Sequence, residues 1–195
     1  MGNLGSIVNM FKKIGVEAKV TGDIKEIEQA DKILLPGVGA FDAAMSRIKA
    51  NGLTEVLNYK ATEQKVPVLG ICLGMQLLTD SSEEGMLPGL GWIPAKTIKF
   101  NFTKESGLKV PHMGWNMVKE NRPSQLTKDF EEESRFYFVH SYYVKCENDE
   151  NSVLKTNYGL EFDSAIQKDN IYGAQFHPEK SHKFGMKLLK NFDAI

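Results

Sequence analysis

Val66-Pro67-Val68-Leu69-Gly70-Ile71-Cys72-Leu73-Gly74-Met75-Gln76 is an apolar run that ends in a cysteine bracketed by glycines. Short, apolar and bounded by turn formers, Val66–Ile71 reads as a buried strand, and the residues from Leu73 onward read as a helix. Gly70-Ile71-Cys72-Leu73-Gly74 has the form of a nucleophile elbow, G-x-S-x-G with cysteine in place of serine. A sharp strand-to-helix turn strains its central residue, so the flanking positions must lack bulk for the backbone to close and for substrate to approach. At the start of a helix the unpaired backbone N–H groups favour a thiolate over a thiol. The ordinary alternative is an inert cysteine ending a core strand; the two glycines argue against it.

Outward from this turn, the first half of the chain alternates helix and strand, the pattern of a parallel sheet with helices on both faces. Leu4, Ile7, Val8, Phe11 and Ile14 fall at helical spacing, and Gly15 is a stop. A strand is predicted at Val16–Val20, then a short helix capped by Asp23, then a strand at Lys32–Leu35. Pro36-Gly37-Val38-Gly39 forms a turn, and helical stretches fill 41–64 with a break at Asn51-Gly52. Beyond residue 95 the reading changes to short strands: Lys96–Phe100, Met113–Val118, Arg135–Val139, Val153–Tyr158, Ser164–Gln167 and Ile171–Phe176. These supply an antiparallel layer and the sheet's last strands. Ser181 is expected to cap a final helix whose apolar face carries Phe184, Leu188 and Leu189. Glu131-Glu132-Glu133 reads as a solvated turn.

With 195 residues and no linker or repeat, one domain over 1–195 is expected. A net charge of -1, from 24 basic and 25 acidic residues spread along the chain, offers no field for nucleic acid or an anionic membrane. No apolar stretch is long enough to span a bilayer. The two cysteines, Cys72 and Cys146, form no metal-type spacing and no disulfide framework, which points to a reducing cytoplasm. Met1-Gly2-Asn3-Leu4-Gly5-Ser6 matches the loose myristoylation pattern, but the helical spacing of the same segment explains it better.

Phe176-His177-Pro178-Glu179 follows a predicted strand, and the spacing of two sets imidazole and carboxylate on the same side of an extended segment. A carboxylate on one ring nitrogen leaves the other free to take a thiol proton, so His177 and Glu179 complete a triad with Cys72. Of the other histidines, His112 and His140 are expected to pack or hydrogen-bond, and His182 to begin the last helix. No histidine pair has metal-ligand spacing, and neither metal nor cofactor is expected.

Gly-Ile-Cys-Leu-Gly-Met-Gln around Cys72 and Gln-Phe-His-Pro-Glu-Lys-Ser around His177 resemble the class I glutamine amidotransferases over essentially the whole chain. Within that family the chain is most similar to the glutaminase subunits of imidazole glycerol phosphate synthases. Met75, the turn Pro36-Gly37-Val38-Gly39-Ala40-Phe41 and the segment Pro111-His112-Met113-Gly114-Trp115-Asn116 carry that narrower likeness. Relatives serving chorismate- or GMP-forming synthases usually have histidine where Met75 stands. The resemblance implies a flavodoxin-like, doubly wound, mostly parallel sheet with an added antiparallel layer. It implies that Cys72 attacks the side-chain amide of glutamine, with Val38 and Leu73 N–H groups as the oxyanion hole. Gly39, Gln76, Glu84, Ser141 and Tyr142 would hold the substrate. Ammonia would pass to a β/α-barrel cyclase subunit in a heterodimer docked around Asn3, Trp115 and Lys180; ordinary core packing is the alternative for Trp115.

Members of this family open with an apolar strand running into a Tyr-Gly-x-Gly-Asn-Leu turn, whereas this sequence starts inside that turn, so the first strand is expected to be missing. A start site assigned too far downstream ranks first as the explanation. Three competing functions follow from the same residues. They are the same glutaminase feeding a surface-sugar amidotransferase, a non-catalytic module on this fold, and a cysteine peptidase, against which Gln76 and the Pro36–Gly39 turn argue.

Overall fold

The apolar run resolves, in a computed structural model that describes residues 4–195, into strand β2 (Val68–Cys72) with every residue buried. It lies between β1 (Ile33–Gly37) and β11 (Ile171–Ala174), parallel to both. Its side chains alternate between two cores. Leu69 and Ile71 join Phe11 of α1 (Leu4–Lys13) and Leu188, Leu189 and Phe192 of α6 (His182–Ala194). Val68 points the other way, to Ile27 of α2 (Ile24–Glu28), Val56 and Leu57 of α4 (Leu53–Asn58), and Trp92 and Ile93. Helices therefore cover both faces of the parallel strands. The break in the helical stretch falls where expected: α3 (Phe41–Ala50) stops, Gly52 turns at φ 66°, and α4 begins.

From β11 the sheet continues antiparallel through β10 (Glu161–Lys168) and β8 (Tyr142–Cys146) to β4 (Ala95–Lys99), with short β3 (Ser81–Ser82) at its end. Off β10 branches β9 (Ser152–Asn157), which carries short β6 (Lys119–Glu120). A separate two-stranded ribbon pairs β5 (His112–Met117) with β7 (Arg135–His140). Its inner face buries Phe136 and Phe138, and Phe136 stacks on Phe176 with ring centroids 3.8 Å apart. Its outer face leaves Met113, Trp115 and Met117 exposed. No helix among the described residues is long and apolar enough to cross a membrane.

Two expectations about elements are corrected. Val16–Val20 is not a strand. Among the described residues no strand pairs with it, and Val16 N–H instead donates to Phe11 O, closing α1. Ser181 precedes α6 but its side chain does not cap it; Oγ donates to His177 O and accepts from Tyr137 N. Among the described residues no strand precedes α1, and the parallel core is β1, β2 and β11. Glu131–Glu133 is exposed, as a solvated turn should be.

Candidate active site

Cys72 is the last residue of β2 and stands immediately before α5 (Leu73–Leu77). Its backbone is at φ 54° and ψ -113°, the strained conformation an elbow requires and one a non-glycine residue rarely adopts. The flanking glycines answer to two contacts. A Cβ on Gly70 would lie 2.6 Å from Gly74 O, inside the turn itself. One on Gly74 would lie 1.8 Å from Leu35 O, so this glycine serves the close approach of α5 to β1, a packing reason beyond the expected turn closure and substrate approach. Gly37 ends β1 and pairs in register with Cys72, so of the expected Pro36–Gly39 turn Pro36 and Gly37 belong to the strand and only Val38 and Gly39 turn, beside the elbow. Val38 on that turn is 41% exposed and Gly39 sits at φ 97°, while Leu73 is buried as the first residue of α5.

His177 and Glu179 meet at 2.8 Å, Nδ1 to Oε1, with both side chains almost wholly buried. The pair is built on a bend: His177 is extended, and Pro178–Lys180 is a turn of 3-10 helix, not the extended segment expected. Three hydrogen bonds fix the backbone of His177. His177 N donates to Tyr137 O at 2.9 Å, and Ser181 Oγ joins His177 O at 2.6 Å to Tyr137 N at 3.0 Å. The other ring nitrogen, Nε2, is buried with no hydrogen-bond partner among the described residues. Burial disfavours the imidazolium, but the neighbouring Cys72 and then Glu179 outweigh it and raise the His177 pKa to about 9.

The residues expected at the substrate fall into two joined groups. Gln76 Nε2 donates to Tyr142 O at 3.2 Å and to Gln175 Oε1 at 3.1 Å, and Gln175 Nε2 lies 3.8 Å from Cys72 Sγ. Ser141, next to Tyr142, accepts from Phe100 N through its carbonyl. On the other side Glu84 Oε2 accepts from Phe41 N at 2.9 Å, tying its loop to the residues that follow Gly39. Asp42 returns the tie, its carboxylate accepting from Met86 N and Leu87 N. The site is closed over, with Cys72 8% and His177 4% exposed. A cleft of about 550 Å³ lined by Asn116, Lys119, Glu132 and Lys155 lies over β6 and β9, away from it.

At the expected docking face Trp115 is 44% exposed, so core packing does not account for it. Its ring stacks on His182 and meets Tyr137 edge-on, and Lys180 Nζ lies 5.5 Å from the Tyr137 ring centroid. Asn3 lies outside the described residues. His112 and His140 are buried and bonded to each other, as expected of packing histidines, and His182 is the first residue of α6.

The family model for class I glutamine amidotransferases matches residues 1–194. The imidazole glycerol phosphate synthase subunit HisH 2 of Methanococcus maripaludis is 58% identical over 98% of this chain and 94% of that protein. The HisH subunit of Bdellovibrio bacteriovorus is 50% identical over 100% of this chain and 96% of its own length. This chain belongs to the class I glutamine amidotransferases. Solved structures agree on the fold. A glutamine amidotransferase superposes with a TM-score of 0.71 at 15% identity over 98% of this chain and 92% of that one. A second, from Thermotoga maritima, gives 0.62 at 15% identity over 96% and 76%. In this amidotransferase two residues beside Cys72 and His177, both inside the motif Gln-Phe-His-Pro-Glu-Lys-Ser, make contacts that the motif does not reveal. Ser181 is indistinguishable in sequence from a helix cap. Gln175 did leave a signal, a lone amide inside the apolar run Ile171–Phe176, and it is fully buried.

Proposed function

We propose that this chain hydrolyses glutamine to glutamate and ammonia through Cys72, His177 and Glu179, as the cytoplasmic glutaminase subunit of an imidazole glycerol phosphate synthase. The observation that carries the reading is the strained backbone of Cys72 at the strand-to-helix turn, beside a buried His177 already bonded to Glu179. The thiolate of Cys72 attacks the substrate's side-chain carbonyl carbon, and the N–H groups of Val38 and Leu73 take the negative charge that develops on oxygen. Val38 sits on an exposed turn, so a change of that turn is the natural way to complete the hole. Protonated His177 gives its Nε2 proton to the departing nitrogen, ammonia leaves, and a glutamyl thioester remains. Water attacks the thioester, His177 takes its proton, and glutamate leaves as the Cys72 sulfur regains its electron pair. Glu179 holds the ring throughout and balances its charge.

Gly39, Gln76, Glu84, Ser141 and Tyr142 hold the substrate. Gln76 spends its amide hydrogens within the protein, so its oxygen is the atom offered to glutamine. The cyclase partner docks on the face of Trp115 and Lys180; Asn3, the third residue expected there, lies outside the described residues. The names of the two relatives support the imidazole glycerol phosphate assignment over a surface-sugar partner. Glutamate release is the test, measured with the chain alone and with a cyclase subunit loaded with its nucleotide substrate. Release with the complex that disappears in Cys72→Ala is expected; release that persists in Cys72→Ala overturns the nucleophile.

A further inference from the structure

We propose that Gln175 is a positioning residue for this reaction, a neutral amide donor aimed at the Cys72 sulfur by a hydrogen-bonded chain whose direction is set by a backbone carbonyl. The proposal rests on Cys72 being the nucleophile. An amide side chain can be turned either way, so its orientation has to be argued. Tyr142 O can only accept. The Gln76 atom 3.2 Å from it must therefore be nitrogen, and the same nitrogen reaches Gln175 at 3.1 Å. Gln175 must then present its oxygen to Gln76, which leaves its own NH2 for Sγ at 3.8 Å. Turning Gln175 over would oppose two NH2 groups and set an oxygen against the sulfur.

The carbonyl at the origin is itself fully engaged. His140 Nδ1 donates to Tyr142 O at 2.7 Å, so His140 Nε2 accepts from His112 Nδ1 at 3.0 Å. His112 Nε2 accepts in turn from Asn116 Nδ2 at 3.2 Å, and the same Asn116 nitrogen donates to Asn157 O at 2.9 Å. Both rings are neutral, burial lowering them to about 4 and about 3, as one-way relays must be. Gln76 is 4% exposed and Gln175 is 0% exposed, so water does not compete for the amides.

The value of such a donor lies in what it does not do. His177 must give up its proton to the leaving nitrogen, and while it does so it cannot also steady the sulfur. Gln175 does not titrate and stays in place. A hydrogen bond to an ionised sulfur is stronger than one to a thiol or thioester. Gln175 therefore favours the sulfur both as attacking thiolate and as leaving group.

The test is alkylation of the full chain by iodoacetamide, followed at Cys72 by peptide mass mapping as a function of pH. The titratable groups around the amides are His177, Glu179 and His140. Gln175→Met should raise the pH of half-maximal rate by about one unit, a roughly 10-fold loss at neutral pH. Gln175→Glu should raise it further by adding a negative charge. Gln76→Met should move it the same way, and Gln76→Met with Gln175→Met should go no further than Gln175→Met alone. The Gln175→Met shift should persist in a His177→Ala background. A Gln175→Met profile that overlays the parent's, in protein with an unchanged melting transition, overturns the proposal. So does a shift that vanishes without His177, or additive effects of the two amides. If Gln175→Met does not fold, Gln76→Met alone carries the same expectation. Glutamate release that survives Cys72→Ala is a different failure, that of the nucleophile assignment itself.

Discussion

At the scale of single residues, the site is decided by charge placement. His177 is buried, which should strip its proton, yet Cys72 and Glu179 hold it protonated to about pH 9. In the proposed mechanism the imidazolium delivers the proton to departing ammonia, so kcat/KM for glutamine should decline on the alkaline side with a midpoint near 9. Glu179→Gln removes one of the two charges that raise it. That limb should move toward neutral pH, and kcat should fall by about 10²- to 10⁴-fold, measured as glutamate release by the complex across pH. An unmoved limb would mean that Glu179 does not act through His177. The strained turn at Cys72 and the pairing of His177 with Glu179 were legible in sequence because each sits in a motif whose neighbours have a steric reason. Ser181 was expected only as a helix cap and Gln175 carried no expected role, because their hydrogen bonds reach elements distant in sequence, β7 for one and α5 for the other.

At the scale of elements, the reading succeeded where periodicity was reinforced by punctuation and failed where it was not. β2 and α5 carry, two residues to either side of Cys72, glycines that the packing demands. Val16–Val20 has strand composition but, among the described residues, nothing beside it to complete a ladder, so composition alone misled. The opposite happened at β8. No turn signal separates it from β7, because the chain passes at Ser141 from the ribbon into the main sheet and makes no hairpin. Two elements also carry predictions. Asp42 on α3 fastens Met86 and Leu87, and so the loop that bears Glu84. Asp42→Ala should raise KM for glutamine about 10-fold with a smaller change in kcat, and cost about 1–2 kcal/mol in urea unfolding. The ribbon's inner face holds His112 and His140 neutral down to about pH 4 and about pH 3. An unfolded chain protonates both below about pH 6.5, so it binds more protons than the native state and stability falls as pH drops through that window. Their joint contribution to the slope is about 2.7 kcal/mol per pH unit, and His112→Gln should remove about half of it.

At the scale of the whole molecule, the ribbon has two faces with different tasks. Inward, it supplies the aromatic core and the histidine relay; outward, Met113, Trp115 and Met117 alternate along β5 in water, at 60%, 44% and 46% exposure. A monomer gains nothing from displaying them together, whereas a partner that covers them recovers their burial. The same ribbon is bonded to His177, since Tyr137 pairs with Trp115 in register and its N–H and C=O are joined to Ser181 and His177. One residue, Tyr137, thus stands between Trp115 and the backbone of His177. Trp115→Ala should weaken the complex with the cyclase subunit by about 30-fold, as loss of an exposed aromatic anchor does, with the melting transition of the isolated chain nearly unchanged. Titration calorimetry of the two subunits reads the first and a thermal scan the second. Equal affinity in the variant would move the docking surface elsewhere on the molecule. Weakened affinity with a large drop in melting temperature would make Trp115 a structural residue of the ribbon, its stacking on His182 then counting for more than any partner.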